Sequence, residues 1–455
     1  NSNQADFIVH NAKIYTVNDE FSMASAVAIK DGKFIAVGSS ESILAAYESE
    51  DIRDMKGAPL YPGFIDAHAH FYRYGLGLKN ADLVGTTSFE EILAVLQKHK
   101  DDNPNEKWIL GHGWDQNDWQ QQDFPTKDKL DEMFPDVPVL ITRVDGHAAL
   151  ANSAAMNQSE LFFKSKAVNG GKIYFDENGD PTGLLVDNAI DLISRYIPRE
   201  TQADRIDALM KAQANCFAVG LTTIVDAGLG VNTINLIDSL NQAGDLKMRL
   251  YVMVTPTSES LDYFKTRGKI KTDFLNVRSF KVYGDGALGS RGANLIADYS
   301  DDPGNSGFLL ERPDVYNELA KTLFEMGFQM NTHAIGDSTN KTILNIYAKY
   351  LPEGNELRWK IEHSQIVSLE DVDKFGKYNI VPSVQPTHAT SDMYWAKDRL
   401  GEPRVKTAYT FKDLLDQNGY IALGSDFPVE NINPMYGFHS AVARQDNNNW
   451  PVGGW

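Results

Sequence analysis

Short alternating runs open the chain. Phe7-Ile8-Val9-His10, Lys13-Ile14-Tyr15-Thr16-Val17, Ala26-Val27-Ala28-Ile29 and Phe34-Ile35-Ala36-Val37 are β-branched or aromatic, with Asn11-Ala12 and Asp31-Gly32 as turns between them. Runs of this kind bounded by Asn, Asp and Gly carry hairpin chemistry. Residues 1–60 therefore predict a small β-sandwich module. From Leu60 the rhythm changes, and apolar runs of four to seven residues alternate with helical patterns. Glu318 to Met326 places Leu319, Leu323 and Phe324 at helical spacing, Gly327 ends it, and Phe328 to His333 reads as a strand. Helices near Leu369 to Phe375 and Phe411 to Gln417 lead in the same way into strands at Ile380 to Val384 and Tyr420 to Gly424. Further strands are expected at Trp108–Leu110, Val139–Thr142, Thr222–Val225, Arg249–Val254, Phe280–Tyr283 and Lys360–Glu362.

Repeated αβ units with mostly apolar strands predict a parallel sheet covered by helices. The number of units favours an α/β (β/α)8 TIM barrel over residues 61–455 rather than an open doubly wound sheet. No G-x-G-x-x-G follows the early strands, which counts against dinucleotide binding. The strand candidates exceed eight, and four fall between the first barrel strand and Lys281. Some must belong to an insertion. The stretch of about 152–197, irregular and with turns at Gly170-Gly171 and Asn178-Gly179, is expected to be that insertion.

Composition adds exclusions. With 42% hydrophobic and 23% charged residues, the 455-residue chain is ordinary for a globular protein with a large core. One cysteine, Cys216, excludes an intramolecular disulfide framework and a thiolate zinc cluster. No apolar run reaches the ~18 residues of a membrane span. The net charge of −19, from 43 Lys and Arg against 62 Asp and Glu, disfavours nucleic acid and anionic lipid as partners and favours divalent cations. The sequence starts at Asn1, so a removed signal peptide is one expectation and a boundary elsewhere another. Cytoplasmic and periplasmic or exported locations both stay open. The Gly/Asn-rich end at Trp455, with no closing element, suggests a chain that continues.

Histidines at strand ends carry the chemistry. In Pro62-Gly63-Phe64-Ile65-Asp66-Ala67-His68-Ala69-His70, His68 and His70 are two apart and face one way from an apolar strand. Neutral imidazoles so placed suit a transition metal. His333 and His363 each end a predicted strand, at the rim where barrel enzymes keep their chemistry. Singly, each reads as a satisfied polar residue; with His68 and His70 on one rim, they read as ligands. Asp426, in Gly424-Ser425-Asp426, follows a strand too, and serves either a turn or a divalent ion and its water. Lys281, in Ser279-Phe280-Lys281-Val282-Tyr283, is either a strand-edge lysine with a solvated amine or a buried low-pKa amine that takes up carbon dioxide as a bridging carbamate. Spacing does not choose between these. His10 and His99 read as structural or surface residues. Trp114, Trp119, Tyr72, Tyr74 and Trp395 lie near predicted strand ends, as core or as an apolar substrate wall.

Together these segments resemble the metal-dependent amidohydrolase superfamily. Gly111-His112-Gly113-Trp114-Asp115, Arg143-Val144-Asp145-Gly146-His147-Ala148, Tyr283-Gly284-Asp285-Gly286-Ala287-Leu288-Gly289-Ser290 and Gln385-Pro386-Thr387-His388-Ala389-Thr390 narrow the resemblance to the YtcJ-like branch, which includes N-substituted formamide deformylases. The resemblance implies that His68 and His70 bind a more buried metal and that Lys281, carboxylated, bridges to a second held by His333 and His363. It makes Asp426 both ligand and general acid/base. It places His147, Arg291, His388 and Trp114 as substrate contacts. One or two divalent ions, zinc foremost, and a small-molecule substrate are implied, with a homodimer as one assembly open to it. The implied activity is hydrolysis of a non-peptide amide-type C–N bond by metal-bound hydroxide. The same site also suits an esterase or lactonase. The rivals are a metal-independent barrel hydrolase with paired carboxylates, for which no clear strand-end pair is present, and a non-catalytic acidic interaction protein.

Overall fold

Eight strands in parallel order give the larger part of the chain its frame. The computed structural model describes residues 3–158 and 167–455. The strands are β1 (Phe64–Ala69), β2 (Leu221–Leu229), β3 (Arg249–Val254), β4 (Leu275–Tyr283), β5 (Gln329–Ala334), β6 (Lys360–His363), β7 (Val381–Val384) and β8 (Ala422–Leu423). They lie side by side in chain order. Helices cover the strands outside and side chains fill the inside, so most strand residues are buried, apolar ones such as Ile224, Val252, Phe280, Met330 and Ile361 among them. The expected barrel is therefore the observed architecture.

Closure comes from the exit of β8. The Asp426 amide donates to the His68 carbonyl at 2.7 Å, and the His70 amide donates to the Phe427 carbonyl at 2.8 Å. The Asp66 carboxylate accepts from the Ser425 hydroxyl at 2.6 Å and from the Ser425 and His68 amides at 3.1 Å each. Gly424 permits the approach, because a Cβ there would stand 2.5 Å from the His68 nitrogen.

The αβ rhythm is visible in β4 to β5. The helix Pro313–Met326 begins earlier than its apolar spacing suggested, with Pro313 in the first turn, and ends at left-handed Gly327 (φ 70°) before β5. The helix expected from Leu369 occupies only Asp373–Lys377.

Between β1 and β2 runs a separate six-stranded sheet. Its order is Gly171–Phe175, Pro181–Asp187, Ala148–Ala151, Val139–Arg143, Ile109–Trp114, Ala81–Asp82. The inserted structure thus starts well before the stretch 152–197 expected from the sequence, of which 159–166 lie outside the described residues. Ile109–Trp114 and Val139–Arg143 are apolar and parallel to each other, so their pattern matches that of barrel strands. Only the choice of sheet partner separates them.

The chain divides into two units, Asn1–Phe64 and Ile65–Trp455. In the first, Lys33–Gly38, Ala26–Lys30, Phe7–His10 and Ile52–Asp54 form one sheet, and Met23–Ala24, Lys13–Tyr15 and Pro59–Leu60 a second. Asp31 and Gly32 turn the first hairpin with positive φ values of 50° and 70°. Val9, Val27 and Ile14, from the two sheets, share one buried cluster. Among the described residues no helix is long and apolar enough to cross a membrane.

Candidate functional site

The C-terminal ends of β1, β4, β5, β6 and β8 bring six side chains to one place. His68 projects from β1 and His70 directly follows it, and their Nε2 atoms lie 3.4 and 3.1 Å from Asp426 Oδ1. Lys281 Nζ, from β4, is 3.3 Å from His68 Nε2. His363, from β6, has its ring centroid 4.8 Å from that of His68 and 4.5 Å from that of His333 on β5. Ligand atoms of His68, His363 and Asp426 all lie within 4.8 Å of one another. His70 joins this group through Asp426, and His333 through His363.

Each imidazole is held from behind. His68 Nδ1 meets Glu362 Oε2 at 2.6 Å, His70 Nδ1 meets the Ala227 carbonyl at 3.1 Å, and His363 Nδ1 meets Gln385 Oε1 at 2.6 Å. Such partners fix the tautomer and aim the other nitrogen, the arrangement found around metal-ligating histidines. Two of the six residues sit in the left-handed region, His363 at φ 78° and Asp426 at φ 63°. That conformation is uncommon outside glycine and clusters at functional sites. At β6 it turns the chain so that adjacent Glu362 and His363 are both buried.

Asp426 Oδ1 tests whether a cation fits. The atom is buried, and neither imidazole contact has hydrogen-bond geometry, so it is left without a partner. A buried carboxylate oxygen in that state is costly. Two imidazole nitrogens and a carboxylate oxygen facing one another without a shared hydrogen make a donor set for a divalent cation.

Electrostatics follow from burial. Burial brings the His70 imidazole down to about 4, keeping it neutral at pH 7. Lys281 is 1% exposed. Burial pulls its ammonium down to about 8, against the opposing attraction of Glu362 and Asp426. Burial raises Asp426, but the bond from His388 and the adjoining imidazoles of His68 and His70 outweigh it and hold the carboxyl well below its usual range. His388 bridges Asp426 Oδ2 and Glu430 Oε1 at 3.2 Å each. Burial works against its charge, but those two carboxylates raise it to about 10.

The site opens into a cavity of about 880 Å3. His147 and His388 both line it. His147 Nδ1 is anchored on Asp187 Oδ1 at 2.6 Å, leaving Nε2 as its free nitrogen. Two expected contacts lie elsewhere. Trp114 is fully buried in the core of the inserted sheet beside Trp119, and its Nε1 donates to the Ile141 carbonyl at 3.0 Å. It ends a strand of that sheet rather than of the barrel. Arg291 pairs with Asp301 at 3.0 Å and is absent from the cavity wall. Of the other aromatics, Tyr74 and Trp395 line the cavity, while Tyr72 accepts from Arg205 at 3.1 Å. Glu362, Gln385 and Asp187 were not legible as anchors. Glu362 had one signal, its place beside His363 at a strand end.

Known proteins share this architecture. A family model described as "Amidohydrolase family" matches residues 51–452. The Bacillus subtilis (strain 168) protein YtcJ is 32% identical over 447 residues, 97% of this chain and 84% of its own. The N-substituted formamide deformylase of Arthrobacter pascens is 25% identical over 459 residues, covering 97% of this chain and 84% of its own. The crystal structure of an uncharacterized metal-dependent hydrolase from Pyrococcus horikoshii OT3 superposes with a TM-score of 0.76 at 28% identity, covering 96% of this chain and 86% of that one.

One wall of the cavity depends on Arg143. The side chain is 2% exposed and is held by Asp115, Asp145 and Gln116 Oε1, the last at 2.8 Å. Burial raises the Asp145 carboxyl, but Arg143 and then His147 outweigh it, and the net shift is downward. A depressed folded pKa stabilises the fold above the unfolded value of about 4 and loses that contribution as pH falls through the folded value. Arg143→Ala leaves two half-buried carboxylates without their cation and should cost about 1–3 kcal/mol at pH 7. Urea unfolding followed by circular dichroism should show that loss shrinking below about pH 4 as Asp145 protonates. A variant within ~0.5 kcal/mol of wild type at pH 7 would show that the wall does not depend on this arginine.

Proposed function

The chain belongs to the amidohydrolase family, and on that footing we propose that it is a metal-dependent hydrolase that cleaves a non-peptide amide C–N bond of a small molecule. The single observation that carries this reading is the meeting of His68, His363 and Asp426, with a buried carboxylate oxygen lacking any hydrogen-bond partner. His68, His70, His333, His363 and Asp426 would hold one or two divalent ions, with zinc favoured by the imidazole-rich set. Lys281, if carboxylated, would add an oxygen bridge between them. A bound ion supplies Lewis acidity, which lowers the pKa of water from 15.7 toward ~7 and polarises a carbonyl.

The chain's own residues do the rest. Asp426 accepts a proton from the attacking water as the new C–O bond forms. His388, held by Glu430, donates to Asp426 Oδ2 and fixes the orientation of that carboxylate. His147, braced by Asp187, presents its free nitrogen on the cavity side to the developing oxyanion. Protonated Asp426 then passes its proton to the amide nitrogen as the C–N bond breaks, releasing amine and carboxylate. The neutral amine of Lys281, favoured by burial, is the form able to take up carbon dioxide.

The reading is tested by screening N-acyl and N-formyl amines, esters and lactones with zinc present against a chelated control. Chelator-sensitive turnover of amides is expected; turnover of esters or lactones alone would replace the C–N assignment, and a metal-free protein insensitive to chelator would end it. Asp426→Asn should lower the rate about 10²–10⁴-fold while atomic absorption still finds metal on the histidines. Wild-type turnover would remove Asp426 from the mechanism. Lys281→Ala should lower metal content, with partial recovery of metal and rate on adding short-chain carboxylates. Full occupancy without them would exclude a carbamate bridge.

A further inference from the structure

The barrel is charged beneath the converging histidines. The interior of a (β/α)8 barrel is ordinarily packed with bulky apolar side chains. Here β6 carries Lys360 and Glu362 two apart, so both face the same way, into the barrel. Lys360 stands at the N-terminal end of the strand and is 9% exposed, while Glu362 is fully buried. Glu362 Oε2 meets His68 Nδ1 at 2.6 Å. Its Oε1 meets Lys360 Nζ at 2.8 Å and has no other partner among the described residues. Glu362 is likewise the one carboxylate within ion-pair distance of Lys360 among the described residues. The three side chains form a single line from the lower barrel to the first histidine of the site.

Charge alone gives this lysine no reason to be there. Taking an ammonium out of water is costly, and a cation below a site for divalent ions repels them. The pairing with Glu362 supplies a reason. A carboxylate held at both oxygens has one orientation, and the oxygen aimed at His68 Nδ1 keeps Nε2 as the nitrogen that faces Asp426. Burial raises the Glu362 carboxyl, and Lys360 leads the groups that outweigh it, ahead of His68 and Lys281. Lys281 is the other lysine beside Glu362. Carboxylation would make its side chain an anion and leave Lys360 as the lysine that balances Glu362. The ammonium of Lys360 also lies over the Tyr251 ring, 5.9 Å from its centroid.

We propose that Lys360 is a positioning residue for the metal site, acting through Glu362 on the aim of His68. The proposal rests on the hydrolase reading above, because it takes His68 as a ligand. It fixes the sign of an effect: removing a positive charge from beneath the site weakens its hold on a cation. Without Lys360, Glu362 Oε1 is buried with no partner, and the carboxylate loses the contact that sets its orientation toward Nδ1. Direct repulsion between the ammonium and the metal predicts the reverse, tighter binding once the lysine is gone. The two accounts differ in direction and not only in size.

Zinc affinity of the chelator-stripped full chain is read by competition with a chromophoric chelator, for wild type, Lys360→Met, Glu362→Gln and the double variant. Urea unfolding of each metal-free form is followed alongside. Lys360→Met should weaken zinc binding about tenfold to a hundredfold. Glu362→Gln should weaken it too, and adding Lys360→Met to it should change the affinity by less than about threefold, because the path from the lysine runs through the carboxylate. The double variant leaves no unpaired charge at this pair, so it should be more stable than Lys360→Met while its zinc affinity stays low. Unchanged or tighter zinc binding in Lys360→Met would overturn the proposal. So would losses that add independently in the double variant, or an affinity that merely follows stability across the four proteins. Should Lys360→Met fail to fold, Glu362→Gln and the double variant still decide the matter, since a further loss beyond about threefold overturns it. A wild type that holds no zinc would end the hydrolase reading, whereas a wild type that holds zinc no tighter than Lys360→Met ends only the role of Lys360.

Discussion

The seam between β1 and the exit of β8 is the constraint on which the site depends. Asp66 lies inside it, taking up the Ser425 hydroxyl and two amides that would otherwise be buried donors without acceptors. The reciprocal bonds of Asp426 to His68 and of His70 to Phe427 then lock the two segments in register. A shift of one residue would turn His68 and His70 to the other face of the strand. Gly424 is the residue at which the chains come closest, and a side chain there would force the seam apart. Closing the barrel and bringing a carboxylate against two imidazoles are thus one structural event.

The polar interior that results is held by pairing. Glu362 is fully buried, and burial alone would raise its carboxyl, but Lys360, His68 and Lys281 outweigh it and keep the group ionised. That anion in turn braces His68. His388 is similarly placed between Asp426 and Glu430. Buried charges of this kind are tolerated because each has a partner, and they also fix which nitrogen of each ring is free to face the centre. Lys281 is the outlier: its attractions to Glu362 and Asp426 do not overcome burial, which pulls its ammonium down to about 8.

The inserted sheet supplies what the barrel lacks. The barrel rim carries the converging imidazoles, while His112, Arg143 and His147 come from strands and turns between β1 and β2. The strand ends thus carry the converging imidazoles, while the inserted sheet builds part of the cavity wall. This division is common among barrel enzymes, whose strand ends supply catalytic groups and whose loops shape the pocket. It also explains why motifs such as Arg143-Val144-Asp145-Gly146-His147 lie far in sequence from the strand-end histidines they face.

The sequence by itself determined the barrel and the identity of the converging residues. Alternating αβ units, His68 and His70 two apart on a strand, and histidines ending two later strands are local patterns, and local geometry is written in neighbouring residues. What it left undecided is set by contacts distant along the chain. Trp114 ends an apolar strand like any barrel strand, yet its strand pairs within the inserted sheet and the ring becomes core. Arg291, expected as a substrate contact, is paired with Asp301 by the fold. Glu362 could be called a brace for His68 only once residues 294 apart were within hydrogen-bond reach. Burial, and with it the charge state of Lys281 and His70, is a property of the assembled core, because desolvation depends on everything packed around a group and not on its place in the chain.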